Sequence, residues 1–115
     1  MQPVGLHHVS INVTDVPRAL AFYVDVLGLV ERGDRPDFGF AGAWLDAGGQ
    51  QVHLIEAAAP PALGQHLALQ VVDVDRAVAD VRAAGVDVTD PKPVGTGWQA
   101  FLADPDGNGV ELNQP

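Results

Sequence analysis

The sequence repeats itself at a spacing of 58 residues, and the repeat relates one set of metal-binding residue types to another. His8 is matched by His66, and His53 is matched by Glu111. A repeat of this length indicates two copies of one supersecondary unit, so any proposed fold must contain that unit twice. Further matches at the same spacing are Val13/Val71, Asp15/Asp73, Arg18/Arg76, Ala19/Ala77, Asp46/Asp104, Gly49/Gly107, Val52/Val110 and Leu54/Leu112.

The length and composition of the chain fit one domain built from these two copies. The 115 residues are enough for a single modest core. We expect one domain over residues 1–115, with a first module at 4–56, a linker at 57–64 and a second module at 65–115. The sequence has no cysteine, which excludes disulfides and thiolate metal ligands.

Charge and hydropathy narrow the classes of partner. The formal net charge of −9 argues against nucleic acid, whose phosphates attract clusters of Lys and Arg. No signal peptide or membrane-spanning apolar run is visible, so we expect a cytoplasmic protein that does not bind membranes. An anionic small molecule would have to use one of few cations, such as Arg32, Arg35 or Lys92.

The first module is predicted to contain a strand, a helix and three more strands. Residues 6–13 alternate in the manner of a strand, and Asp15 suits a helix N-cap. Leu20, Tyr23, Val24 and Leu27 form an apolar helical stripe, which Gly28 ends. Three further strands are expected at 29–33, 40–46 and 50–56.

The second module repeats this order. A strand is expected at 66–72, followed by a helix with Asp73 as its cap and Gly85 as its end. Further strands are expected at 86–89, 98–104 and 108–114, with a turn over 104–108. Each module therefore has the order βαβββ, and the fold class is α+β.

Strand alternation places the special residues on one polar face. Successive side chains in a strand point to opposite faces, so Val52 and Leu54 oppose His53, and Val110 and Leu112 oppose Glu111. The same alternation assigns His8 and His66 to the polar side, whereas His7 falls on the other face and is expected at an edge or surface.

Three imidazoles and one carboxylate are suitable ligands for a divalent metal such as Zn²⁺, Ni²⁺, Mn²⁺ or Fe²⁺. We therefore predict a metal site formed by His8, His53, His66 and Glu111. Such a set leaves one or two open positions on the metal for a substrate.

Short motifs surround these residues in both modules. They are Leu6-His7-His8-Val9, Val13-Thr14-Asp15, Ala21-Phe22-Tyr23, Leu27-Gly28-Leu29, Gln65-His66-Leu67-Ala68 and 104–112, which ends in Val110-Glu111-Leu112. These motifs resemble those of the vicinal oxygen chelate superfamily, which includes glyoxalases, bleomycin-resistance proteins and extradiol dioxygenases. The resemblance implies two βαβββ modules that form a U-shaped mixed sheet around a metal, often in a homodimer.

The resemblance also bears on individual residues. It places His8, His66 and Glu111 on the family's common ligand set, and His53 on the fourth position, which binds the metal in glyoxalase I and the epimerases. Bacterial glyoxalase I enzymes usually carry Glu at that fourth position. The second carboxylate serves proton transfer in those enzymes, so His53 is a departure from the glyoxalase pattern.

Three functions for a small-molecule substrate or ligand follow from the resemblance. The first is a glyoxalase-like isomerase or lyase, in which Glu111 is the catalytic residue that moves a proton between neighbouring carbons. The second is an extradiol dioxygenase that uses Fe²⁺, with His53 as an acid or base. The third is a drug-binding protein without catalysis, in which aromatic side chains stack on a flat ligand. The candidate binding residues are Arg35, in a loop over 35–40, and the aromatic residues Phe38, Phe40, Trp44 and Trp98.

Overall fold

The computed structural model describes residues 1–115, which divide into two compact units at 1–59 and 60–115. The first unit contains β1 (His8–Val13), α1 (Val16–Leu20), a π-helical continuation of α1 (Ala21–Val26), β2 (Val30–Glu31), β3 (Gly42–Ala47) and β4 (Gln50–Glu56). The second contains β5 (His66–Gln70), α2 (Val74–Ala83), β6 (Lys92–Val94), β7 (Gly97–Ala103) and β8 (Gly109–Gln114). Each unit thus has the order βαβββ, and the predicted α+β fold class is confirmed.

Each unit forms one mixed four-stranded sheet, and the two sheets have the same topology. The strand orders are β1-β4-β3-β2 and β5-β8-β7-β6. The first and last strands of each unit pair in parallel, and the other pairs are antiparallel. The strands that carry the predicted metal ligands, β1 with β4 and β5 with β8, are therefore neighbours.

The helix signals in the sequence have the expected local effect. The carboxylates of Asp15 and Asp73 each accept a hydrogen bond at 3.0 Å from the backbone N–H three residues later, which caps the helix that follows. Gly28 and Gly85 follow the helical segments with φ of 78° and 81°, a conformation that residues with a Cβ adopt only at a cost.

The π-helical segment changes which face of the first helix is buried. Leu27 N–H donates to the Phe22 carbonyl five residues earlier, at 3.0 Å. The wider turn rotates the chain relative to an α-helix, so Phe22 is buried in addition to Tyr23. The predicted stripe contained Tyr23 but omitted Phe22, and its members Leu20, Val24 and Leu27 are only half-buried.

Strand alternation in the core is as predicted. Val52 and Leu54 of β4, and Val110 and Leu112 of β8, are at most 3% exposed and pack in the core of their own unit. The strand expected at 86–89 is wrong, because the strand that follows α2 is β6 at Lys92–Val94, at the edge of the sheet. Residues 95–96 form a tight turn into β7, and this turn fixes the pairing of β6.

The two ligand-bearing hairpins differ in turn length, which shifts their pairing by one residue relative to the repeat. β3 and β4 are joined by a two-residue turn at 48–49, and Trp44 is the partner of His53. β7 and β8 are joined by a five-residue turn at 104–108, and Phe101 is the partner of Glu111. The buried carboxylate of Asp104 stabilises the longer turn, since it accepts hydrogen bonds from two backbone N–H groups and from Asn108 Nδ2 at 2.8–2.9 Å.

Candidate functional site

His8 and His53 lie side by side in the first unit as stacked rings. Their ring centroids are 3.9 Å apart and the planes differ by 14°. The other stacking partner of His53 is Trp44, with centroids 4.6 Å apart and planes within 12°. His53 therefore stacks on two other rings, and only 9% of it remains exposed.

A neighbouring amide orients the His53 ring. Nε2 of His53 lies 2.8 Å from Oε1 of Gln51, which is two residues earlier and on the same face of β4. Because this partner atom is an acceptor, Nε2 carries the proton in this arrangement. Burial lowers the pKa of His53, and the nearby His8, His7, Arg32 and Arg35 lower it further. The neutral form of this imidazole, which is the form that binds a metal, is therefore favoured.

His7 is exposed, as expected, but its ring is turned toward the two other histidines. Nδ1 of His7 and Nδ1 of His8 are 2.9 Å apart, and the ring of His7 lies edge-on to that of His53 at 6.4 Å. The strand begins at His8, so strand alternation does not fix the direction of the His7 side chain.

His66 and Glu111 face each other in the second unit. His66 Nε2 lies 3.2 Å from Glu111 Oε2, and His66 Nδ1 lies 2.9 Å from the carbonyl oxygen of Gly64. Glu111 is buried, with 9% exposure. The Gly64 carbonyl raises the pKa of His66, and Glu111 raises it further.

Two residues that the sequence analysis did not select complete this arrangement. Asn113 Nδ2 donates to Glu111 Oε1 at 3.2 Å, so each carboxylate oxygen has its own partner. Phe101 lies edge-on to His66 with centroids 5.4 Å apart. Asn113 can be found from strand alternation, since it is two residues from Glu111. Phe101 can be identified only when the register of β7 against β8 is known, and this register depends on the length of the turn between them.

A cavity of about 290 Å³ lies beside His8 and His53 in the first unit. It brings together most of the predicted binding residues with the histidine pair. Trp98 is not among them, and lies on β7 of the second unit, 43% exposed. The lining residues are His8, Ser10, Arg35, Phe38, Phe40, Trp44, His53, Leu54 and Ile55.

The loop between β2 and β3 forms one wall of this cavity. Arg35 Nη2 donates to the carbonyl oxygen of Phe40 at 3.1 Å. Its guanidinium carbon lies 5.0 Å from the ring centroid of Phe38 and 5.5 Å from that of Phe40, which is cation–π distance. The carboxylate of Asp37 accepts from Gly39 N–H at 2.8 Å and closes the turn between the two phenylalanines.

The two arginines of this region have different partners. Arg32 donates to both carboxylate oxygens of Asp34 at 2.9 Å and to Asp46 at 3.0 Å. These contacts raise the pKa of Arg32 and lower that of Asp34. Arg35 has no carboxylate partner, so it is the cation that remains available at the cavity.

The four predicted metal ligands form two pairs, His8 with His53 and His66 with Glu111. No group of three or more His, Cys, Asp or Glu side chains lies close enough together to hold a metal ion. The chemistry of the donors nevertheless suits a divalent transition metal. Nδ1 of His66 lies at the Gly64 carbonyl and Nε2 lies at a carboxylate oxygen, so either a second ring proton or a bound cation stands between Nε2 and Glu111.

Comparisons with known proteins agree with the fold. A family model described as the Glyoxalase/Bleomycin resistance protein/Dioxygenase superfamily matches residues 5–112, and the chain belongs to this superfamily. The sequence is 33% identical to a lactoylglutathione lyase of Arabidopsis thaliana over 93% of the chain, which spans only 43% of that longer protein. It is 32% identical to a probable lactoylglutathione lyase of Vibrio cholerae, over 93% of the chain and 88% of that protein.

A solved structure is similar over the whole chain. TnmS3, an antibiotic binding protein from Streptomyces sp. CB03234, matches with a TM-score of 0.86 and 31% identity, over 100% of this chain and 98% of that one.

None of the helices of this chain is long and apolar enough to cross a membrane.

Proposed function

We propose that this protein is a metal-dependent isomerase or lyase of the glyoxalase type, which acts on a small substrate that chelates the metal through oxygen. Membership of the superfamily and the similarity to lactoylglutathione lyases support the general class. The observation that carries the proposal is the contact between His66 and Glu111. A buried carboxylate oxygen and an imidazole nitrogen 3.2 Å apart are two metal-donor atoms turned toward each other.

In this proposal His8, His53, His66 and Glu111 bind a divalent metal ion, which is Zn²⁺, Ni²⁺, Fe²⁺ or Mn²⁺. His66 is held by Gly64 through Nδ1, which directs Nε2 to the metal. His53 has a lowered pKa and is therefore neutral at pH 7. To use Nε2 as the ligand atom, His53 has to give up its contact with Gln51; Nδ1 is the alternative donor.

The proposed role of Glu111 is proton transfer between neighbouring carbons of the substrate. A bound divalent metal supplies a Lewis acid that polarises the substrate carbonyl. In this proposal Glu111 Oε2, which faces His66, is the oxygen that binds the metal, and Oε1, which Asn113 orients, is the oxygen that takes and returns the proton. Because the fourth position is His53 and not a glutamate, Glu111 is the single carboxylate that can perform both transfers.

The family resemblance also leads us to propose a homodimer. This is tested by sedimentation equilibrium, in which a mass of about twice 12.0 kDa is expected. A monomer at all concentrations would refute the homodimer without bearing on the reaction.

The proposed activity is tested by metal loading followed by an isomerisation assay. Metal-stripped protein is reconstituted separately with Zn²⁺, Ni²⁺, Fe²⁺ and Mn²⁺, and hemithioacetals of several physiological thiols are offered as substrates. The proposal expects turnover with at least one metal, and loss of turnover in Glu111→Gln. Glu31→Gln, which alters an exposed carboxylate on β2, is the matched control. Absence of turnover with every thiol and metal would overturn it.

A second function, ligand sequestration without catalysis, is favoured by one observation. The cavity of the first unit is lined by aromatic rings, and TnmS3 is an antibiotic binding protein. Metal analysis discriminates the two functions. A protein that binds ligands but takes up none of the four metals is a binding protein, whereas metal-dependent turnover identifies the enzyme.

A further inference from the structure

We propose that the cavity of the first unit binds a single-ring aromatic carboxylate, with its ring against the aromatic wall and its carboxylate on Arg35. This inference rests on the proposed function in one respect, since it names the class of compound that the same site accepts. The cavity is formed by residues of the first unit alone, so the inference can be tested without metal.

The aromatic character of the ligand follows from the walls of the cavity. Trp44, His53 and His8 form a continuous stack with planes within 14° of their neighbours. Phe38 and Phe40 stand beside it and are 50% and 49% exposed. Both faces of His53 are covered by His8 and Trp44, so a flat ligand ring meets this stack at its edges and gains edge-to-face contacts. The same ring removes exposed apolar surface of Phe38 and Phe40 from water.

The negative charge of the ligand follows from Arg35. A guanidinium has five N–H donors, and Arg35 commits one nitrogen, Nη2, to Phe40. It has no carboxylate partner, and it is the only Lys or Arg that lines the cavity. None of the 15 acidic residues of the chain lines it either, so the cavity is a local positive site in a protein of net charge −9. A carboxylate is the planar anion that a guanidinium binds best.

Arg35 packs beside a glycine of β3. A Cβ at Gly42 would first meet the backbone carbonyl oxygen of Leu54, and would also lie 2.8 Å from Arg35 Nη2. Arg35 is half-buried, and its hydrogen bond to Phe40 and its contacts with the two phenylalanine rings hold it in place before a ligand arrives.

The volume of the cavity accommodates about one ring. A volume of about 290 Å³ lies at the lower end of the range of roughly 300–1,000 Å³ for small-molecule sites. Leu54 and Ile55 complete the lining on β4 with apolar contacts. A benzoate-sized compound fits the volume, the aromatic wall and the cation together.

Tryptophan fluorescence provides a direct test. Trp98→Phe leaves Trp44 as the only tryptophan, and this variant is titrated in EDTA-treated form with three probes. Benzoate has the ring and the charge, cyclohexanecarboxylate has the charge alone, and benzamide has the ring alone. We expect saturable quenching by benzoate and at least about tenfold weaker binding of each of the other two. Equal binding of benzoate and cyclohexanecarboxylate, or no binding of benzoate, overturns the inference.

Arginine variants in the same background test the assigned cation. Arg35→Gln should weaken benzoate binding at least about tenfold and leave benzamide binding unchanged, and Arg35→Lys should recover part of the loss. Lys92→Gln removes an exposed charge from β6 and should change the binding of neither benzoate nor benzamide. Unchanged benzoate binding in Arg35→Gln would contradict the inference.

The outcomes separate this inference from the proposed enzymatic function. If benzoate binds to the metal-free protein and no metal is ever taken up, the inference stands and the enzymatic proposal fails. If metal-dependent turnover is found and benzoate does not bind, only the inference fails.

Discussion

His66 Nε2 lies 3.2 Å from Glu111 Oε2, while the other nitrogen of the same ring is 2.9 Å from the Gly64 carbonyl. An imidazole with an acceptor at each nitrogen must either carry two protons or bind a cation in place of one of them. The raised pKa of His66 reflects the first alternative, and the proposed metal site is the second. This contact therefore links the acid–base behaviour of the protein to its proposed chemistry.

Glu111→Ala should remove metal binding and activity while the fold is retained, because Glu111 belongs to the polar face of β8 and not to its apolar core. We expect turnover to fall at least about 100-fold, as for the loss of a general acid–base group. Metal content by mass spectrometry and circular dichroism measure the two effects. Full metal occupancy and activity in this variant would show that the site is wrongly assigned.

Asn113→Asp replaces the donor to Glu111 Oε1 by a second carboxylate. We expect metal affinity to change about tenfold or more, because a partner that orients a ligand typically contributes 10–100-fold. Isothermal titration with the activating metal measures the change. The control is Gln70→Glu, which adds a charge on the neighbouring strand β5 without removing the bond to Glu111. Equal effects of the two variants would reduce the role of Asn113 to a general charge effect.

In the metal-free protein, the pKa values of His66 and His53 should be shifted in opposite directions from that of an ordinary histidine. His66 has a raised pKa, so its protonated form is favoured and its stabilising contribution is lost as the pH rises through that pKa. His53 has a lowered pKa because it is buried, so it becomes charged only at more acidic pH. Proton NMR of the ring resonances should give a pKa above 6.5 for His66 and below 6.5 for His53. The reverse order would disprove the described environments.

Metal binding should weaken as the pH falls through the raised pKa of His66, since the proton and the metal compete for Nε2. The apparent affinity is measured by metal titration between about pH 5 and pH 8. His66→Asn should bind metal more weakly and show a shallower pH dependence, because one of the three imidazole ligands has been removed. An affinity independent of pH in the unmodified protein would exclude His66 as a ligand.

Asp104→Ala should destabilise the hairpin that sets the register of Glu111 against Phe101. Asp104 is 5% exposed and accepts three hydrogen bonds within the turn, so we expect a loss of about 2–3 kcal/mol in the free energy of unfolding. Urea denaturation measures the loss. Asp87→Ala, at an exposed position, should change the free energy by less than about 0.5 kcal/mol. Similar values for both variants would refute this role of the turn.

The repeat and strand alternation predict much of this molecule, because both are local properties of the sequence. They predict the βαβββ order of each unit and the buried positions around His53 and Glu111. The strand expected at 86–89 fails because the pairing of β6 is set by the turn at 95–96. Phe101 was missed because its place opposite Glu111 depends on the length of a different turn.

Strand alternation in the sequence also does not predict the directions of side chains outside regular secondary structure. His7 precedes β1, and its contact with His8 depends on rotation about its own bonds. The stacking of His53 between His8 and Trp44 requires the register of three strands at once. The alternation in the sequence indicates that these residues share a face, but it does not give the distances between them.

Metal uptake by the unmodified protein and by Glu111→Ala tests the central claim most directly. Both proteins are stripped of metal, titrated with Zn²⁺, Ni²⁺, Fe²⁺ and Mn²⁺, and analysed for bound metal after dialysis. The account predicts about one tightly bound ion per chain for the unmodified protein with at least one of these metals, and loss of tight binding in the variant. No uptake of any of the four metals by the unmodified protein, or equal uptake by both proteins, would contradict it.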